Sequence, residues 1–399
     1  MPAAAEGRRA LPPFASRDAV TGCEDHRRLP AARRLRALAD RYRRSVTRAL
    51  SAAALLAVLA TSGATSTTAA AEPSRRPVSR TRRAAAIGAA IFPGVLVHGV
   101  GSYVVGEHRA ARRLLTTELV GLGVTATGAV PIAYSGGSQY TIAGVSIAIL
   151  GAGLILPTWF ADLAVAAGAS RTGSPHALPP WSLEVGTTWL HDPYRQRGLV
   201  ELAGAAELGR LGLGAATLLD ADGDQWTAEV GVRWRLYGAA ATGTSIAHGD
   251  RLVIATALRH HRDRLDDVTI DTGDFLVAGR ADLSRLDPAL AGQFLEASAG
   301  AGIERAGFRS DAHDLNSLLL GGFGYGLYLG RGAEVSMFYD HRRDGMAGGI
   351  DAWRAAGFVG SVGVRAHARL APHWLVRGEL QIGNGWVTTA ALRYEGGSR

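Results

Sequence analysis

The stretch WTAEVGVRWRLYG, residues 226–238, decides the fold. Taken every second residue from Trp226 it reads Trp, Ala, Val, Val, Trp, Leu; the alternate positions read Thr, Glu, Gly, Arg, Arg, Tyr. Side chains of a strand alternate between its two faces. One face of this segment is therefore wholly apolar, while the other carries a carboxylate and two guanidiniums. Such a strand separates either a protein core from water or lipid from a polar lumen.

The pattern recurs along the second half of the chain. Trp181, Leu183, Val185, Thr187 and Trp189 oppose Ser182, Glu184 and Gly186. Phe275, Val277, Gly279 and Ala281 oppose Asp274, Arg280 and Asp282. Segments 295–303, 358–370 and 374–382 alternate in the same way, and 199–209, 211–220, 251–260, 316–329, 332–341 and 386–395 do so more weakly. About twelve strands result. Most run 9–13 residues, longer than the 5–6 usual in soluble domains and suited to a tilted membrane crossing.

Aromatic spacing points the same way. Trp181 and Trp189, Trp226 and Trp234, and Trp386 and Tyr394 each stand eight apart on the apolar face. Eight residues rise about 27 Å along a strand, or about 20 Å along the normal at a tilt of about 40°. That is the height expected between two aromatic girdles, to which Trp374 also belongs. Connections after several even strands are short (209–210, 330–332, 371–373), and several after odd strands are longer (190–198, 261–273, 305–315, 341–353). The connections 238–250, 285–292 and 383–385 depart from this rule.

Over 181–395 the chain resembles bacterial outer-membrane β-barrel proteins, a likeness of pattern with no family motif. The resemblance implies a membrane all-β fold: an antiparallel transmembrane barrel of about twelve strands, closed because lipid offers its backbone no partners. It also implies handling by the outer-membrane assembly machinery, which recognises a terminal aromatic strand; here Tyr394 stands five residues before Arg399. Parity sends Glu184, Glu201, Glu207, Glu229, Asp282, Glu296, Glu304, Glu334 and Glu379 to the lumen, together with Arg233, Arg235, Arg259, Arg280, Arg365, Arg369, Arg377 and Arg393. Near equality of sign predicts ion pairing inside a narrow barrel, since a selective pore favours one sign.

The segment before the barrel, 84–168, is strongly apolar, with no charged residue from 119 to 161. A broken helix at 84–105, a helix near 107–129, a turn at YSGGSQ and a helix near 141–168 are expected. This unit either associates with the barrel or sits in the inner membrane. Residues 72–83 read as a basic linker and 169–180 as a Pro-containing one. Residues 46–71 read as a signal peptide, with an apolar run over 50–60 and an Ala69-x-Ala71 site. Residues 1–45 form a basic leader, consistent with translation starting near Val46.

All 43 basic residues are arginine. Seventeen of them lie in residues 1–83 beside six acids, leaving 26 Arg against 29 acids, a net −3, in 84–399. The body therefore carries no basic stripe for nucleic acid. Cys23, the single cysteine, lies in the leader, which removes disulfides and thiolate sites from the rest.

Chemistry is sparse. DADGD, 220–224, reads as an Asp-Gly turn rather than a calcium loop, which needs more ligands. His260 and His261 are expected in an external loop, and His98 and His108 fit no metal spacing. Ser336, His367 and Asn384 are the only residues resembling a hydrolase set, and nothing in the sequence orders them. No cofactor, metal or catalytic group is called for. The function expected is a non-enzymatic outer-membrane barrel, structural or a narrow pore, with membrane lipid and small solutes as partners. The alternatives are a secretion-type translocator of the autotransporter kind, and an inner-membrane helical anchor carrying a soluble periplasmic β-domain.

Overall fold

A computed structural model describes residues 78–135, 140–169, 179–191, 196–238, 250–265, 267–308, 313–329, 332–341, 360–383 and 385–397. The expected leader and signal peptide, 1–71, lie outside these residues. The chain divides at Val46, and all described residues belong to the part from Val46 onward.

Twelve antiparallel strands form one closed barrel in which each strand pairs with its sequence neighbours and β1 pairs with β12. They are β1 (Trp181–His191), β2 (Gln196–Leu208), β3 (Leu211–Asp220), β4 (Gln225–Tyr237), β5 (Arg251–Asp263), β6 (Val268–Asp282), β7 (Gln293–Gly307), β8 (His313–Leu329), β9 (Ala333–Asp340), β10 (Ser361–Ala371), β11 (Trp374–Ile382) and β12 (Trp386–Gly396). Register fixes the geometry. Followed one way round from Gly186, paired residues run through Glu201, Leu218, Thr227, His261, Ile270 and Ala306 to Asp314 in β8. Followed the other way they run through Ala391, Arg377, His367 and Glu334 to Tyr328 in the same strand. The two ends lie fourteen residues apart along β8 (328 − 314). Twelve strands with that stagger tilt by about 40° and close at a backbone radius of about 12 Å.

Paired residues share a face, so one parity propagates round the whole barrel. Its outward side exposes apolar side chains: Leu183 is 60% accessible, Val230 56% and Leu258 64%. In a soluble β-domain these residues would be the core. Their exposure shows that the surround is apolar.

Four helices precede the barrel: α1 (Arg80–Ile91), α2 (Val100–Val105), α3 (His108–Ser135) and α4 (Tyr140–Ala167). The last two are each long and apolar enough to cross a membrane. α4 packs on the outer wall of β7 and β8, with the Phe160 ring stacked on Tyr325 at 5.9 Å. Ala110 and Leu114 of α3, Ala161, Ala164 and Val165 of α4, and Leu283 and Leu290 of two short 3-10 turns after β6 bury together at the same rim.

The strands outrun the alternation that announced them, and this corrects the expected loops. β5 continues to Asp263 and β6 begins at Val268, so His260 and His261 lie in a strand rather than an external loop. The residues there are polar on both faces: His260 pairs with Asp271 outside at 2.7 Å, and His261 contacts Thr227 inside at 2.8 Å. Apolar periodicity ends near Leu258 while backbone pairing goes on. The expected contrast between short turns and long loops shrinks accordingly. Connections 221–224, 264–267, 308–312 and 383–385 are short at one rim, where 341–360 is long; the other rim holds both 209–210 and 238–250.

Candidate functional site: a charge-paired lumen

The lumen is built by the inward parity of all twelve strands. Across β10, β11, β12, β1 and β2 runs one continuous network. Arg365 donates to Glu379 at 2.6 Å. Arg377 reaches Glu201 at 2.6 Å and Glu184 at 3.0 Å, and Arg393 donates to Glu184 at 2.6 Å. This network crosses the β12–β1 closure, so the same contacts that fill the lumen also tie the first strand to the last. Arg233 and Arg235 share Glu207 at 2.8 and 2.7 Å, and Arg259 takes Glu229 at 2.7 Å. Charge-assisted pairs of this kind hold their partners in fixed geometry.

A second centre joins β6 to β9. Arg280 donates to Glu296 at 2.8 Å and to Glu334 at 2.9 Å, while His367 stands 3.3 Å from Glu334. Its floor is aromatic. Phe294 is fully buried, and the Arg280 guanidinium lies 4.0 Å over its ring. The opposing position in β8 is Gly326, where any Cβ would overlap the Phe294 ring. Glycine there makes the room that lets the ring lie against the wall. Tyr328, also buried, flanks Phe294 at 4.7 Å.

Two expected lumen charges have other roles. Asp282 accepts from the Ser284 backbone N–H and caps the 3-10 turn that follows. Glu304 is buried and hydrogen-bonded to Asn316, with Asp274 and Asp314 nearby as charges of like sign. Conversely, several pairs carry partners that parity reading did not single out: Arg369 with Glu395 at 2.9 Å, Arg197 with Asp263 at 3.1 Å, and Arg251 with Glu296 at 3.6 Å. Parity carried from Arg259 through His261 would have found Asp263, and one further inward step from Arg393 would have found Glu395. Inward Phe294 lies two residues before Glu296, so the same extension finds it; inward Tyr328 had no such signal, because Gly321, Gly322, Gly324 and Gly326 leave its strand little alternation to read.

Trp181, Trp234, Trp374 and Tyr394 stand on the outer face at one rim; Trp189, Trp226 and Trp386 stand on it at the other. Tyr394 packs between Trp181 at 5.5 Å and Trp374 at 5.0 Å. At the far rim Trp386 meets His191 at 5.2 Å, and Trp226 meets His260 at 4.8 Å.

DADGD forms a tight turn between β3 and β4, with the Gly223 N–H donating to the Asp220 carbonyl at 3.0 Å. Among the described residues no group of three His, Cys, Asp or Glu is placed to hold a metal ion. Ser336 and His367 both face the lumen, but the His367 Nδ1 turns to Glu334 and its Nε2 bonds to nothing among the described residues. They form no nucleophile–base pair; Asn384 lies outside the described residues.

No protein-family model and no curated protein matches the chain. Solved structures with a similar barrel include the KdgM porin (7% identity, 54% of this chain and 99% of that one, TM-score 0.36). They also include the outer membrane protein Omp33 of Acinetobacter baumannii (9%, 55% and 100%, TM-score 0.30). The translocator domain of the autotransporter NalP from Neisseria meningitidis is another (11%, 58% and 92%, TM-score 0.27). The register, rather than these likenesses, establishes the architecture. The chain is a closed twelve-stranded antiparallel β-barrel of the outer-membrane type, apolar outside and charge-paired within.

Proposed function

We propose that this protein is a non-enzymatic outer-membrane barrel whose narrow, self-neutralised lumen passes small solutes with weak selectivity. The observation that supports it is the inverted distribution of polarity: exposed Leu, Val and Trp outside, paired Arg and Glu inside. A structural barrel needs only the outer half of that pattern. Ion pairs among the lumen arginines leave little net field to discriminate charge. Export by the 46–71 signal, and insertion by the outer-membrane assembly machinery, belong to the same reading.

The inner-membrane alternative leaves the barrel's apolar exterior in water, at a cost that no soluble domain sustains. The translocator alternative gains nothing from the helical segment, which lies on the outer wall instead of in the lumen.

Density fractionation with heat-modifiable gel mobility, followed by planar-bilayer recording, tests the proposal. A heat-modifiable band in the outer-membrane fraction and small, nearly non-selective conductance steps are expected. A mature chain that is monodisperse without detergent would sink the membrane reading; a membrane-inserted barrel that carries no current would sink the pore.

A further inference from the structure

The α3–α4 hairpin has features that a helix pair lying in water does not need. Glu118 and Asp162 bracket a stretch with no charge between them. Both are buried, at 4% and 0% accessibility, and both are turned into protein. The Asp162 carboxylate accepts from the backbone N–H of Gly101 at 2.9 Å, and from the backbone N–H and hydroxyl of Ser102, each at 2.6 Å. Glu118 accepts from the His98 backbone N–H at 2.9 Å, and the His98 ring contacts the Thr158 hydroxyl at 2.7 Å. An ionisable residue on a helix in hydrocarbon faces inward and finds partners. On a water-facing hairpin, Glu118 would gain by pointing out.

Helix contact is made through small residues. A Cβ on Gly128 would overlap the Ala148 backbone; one on Gly151 would overlap Thr125; one on Gly144 would come within 2.7 Å of the Gly128 carbonyl. Where no hydrophobic drive exists between helices, such close backbone approach supplies the association. The outward side exposes Leu119, Leu122, Val130 and Leu156 at 45–59%.

The barrel wall is shaped to match. Outward positions of β7 include Ala297, Ala299 and Ala301, and β8 contributes Gly321, where other strands present Leu, Val or Trp. A Cβ on Gly153 would come within 2.7 Å of the Phe323 side chain. The apolar side of the hairpin is thus continuous with the barrel's belt.

We propose that the α3–α4 hairpin lies in the same lipid bilayer as the barrel, seated on β7–β8, with its outer side covered by lipid hydrocarbon. This rests on the outer-membrane reading above, and the test separates the two. In a Cys23→Ser background, single cysteines replace Leu122, Val130, Val185 and Asp222, each carrying a fluorophore, in the full-length protein in phosphatidylcholine vesicles. Quenching is compared between nitroxide lipids labelled near the bilayer centre and aqueous iodide. Labels at 122 and 130 are expected to be quenched by the lipid within about twofold of the label at 185 on the barrel belt, with 222 in the β3–β4 turn reached by iodide. Lipid quenching at 185 with iodide access at 122 and 130 overturns the hairpin proposal alone; iodide access at 185 overturns the outer-membrane reading. Contact is read from Gly153→Cys paired with Phe323→Cys, expected to cross-link under mild oxidant and to shift non-reducing mobility. Absence of that link in a protein with heat-modifiable mobility overturns the seat on β7–β8.

Discussion

The barrel and the helical hairpin solve one problem by two routes. Each presents an apolar exterior, and each must satisfy its own backbone polar groups. The hairpin does so within each helix, and what remains is packing two helices through Gly121, Gly128, Gly144 and Gly151. The barrel satisfies its backbone only by closing β12 on β1, and it fills the space so enclosed with charge pairs. The difference teaches where polarity resides. The hairpin leaves Arg109, Arg112 and Arg113 exposed at one end and turns inward the two carboxylates that bound its uncharged span, Glu118 and Asp162; a strand must aim every second residue inward, so its polar half becomes a lumen.

The largest expected effect strikes the barrel and spares the hairpin. Arg377 holds both Glu184 and Glu201 across the closure. Arg377→Ala leaves two buried carboxylates short of a partner, a loss of about 3 kcal/mol, read as a lower urea midpoint for the heat-modifiable form. An unchanged midpoint would mean that lumen pairing does not hold the barrel shut.

Next in size is Val185→Arg on the outer belt. A guanidinium at mid-membrane costs about 2–4 kcal/mol on the lipid face. Vesicle refolding yield should fall steeply, whereas Thr188→Arg on the inner face of the same strand should fall less. Equal loss at both positions would erase the distinction between faces.

Gly151→Leu reverses the target. Overpacking against Thr125 costs about 1–3 kcal/mol, and it should free α3 from α4 while the barrel keeps its heat-modifiable mobility. Protease sensitivity within α3, with an intact barrel band, is the readout; loss of the barrel as well would make the two regions one folding unit.

Smallest is Gly223→Ala in the β3–β4 turn. Nothing crowds a Cβ there, so only the positive φ of 71° is penalised. About 1 kcal/mol is expected, as a small shift of the unfolding midpoint. A larger loss would show that this turn contacts more than its geometry reveals.

The strand count, the inward and outward parity and the outward facing of the seven rim aromatics could be read from the sequence because side-chain alternation is local: two neighbours suffice to fix a face. The two long helices were legible for the same reason, their apolar runs having no charge to interrupt them. Strand ends were not, because near the rims both faces are polar and His260, His261 and Asp263 offer no alternation to read.

Pairing inside the lumen belongs to the tertiary structure alone. Glu184 meets Arg393 across 209 residues, and Glu201 meets Arg377 across 176. Those meetings depend on a stagger accumulated strand by strand round the whole circumference, which no segment contains. The seat of the hairpin is of the same kind. Ala297, Ala299, Ala301 and Gly321 look like weak strand residues in sequence, and only closure of the barrel assembles them into a shallow wall on which a helix can lie.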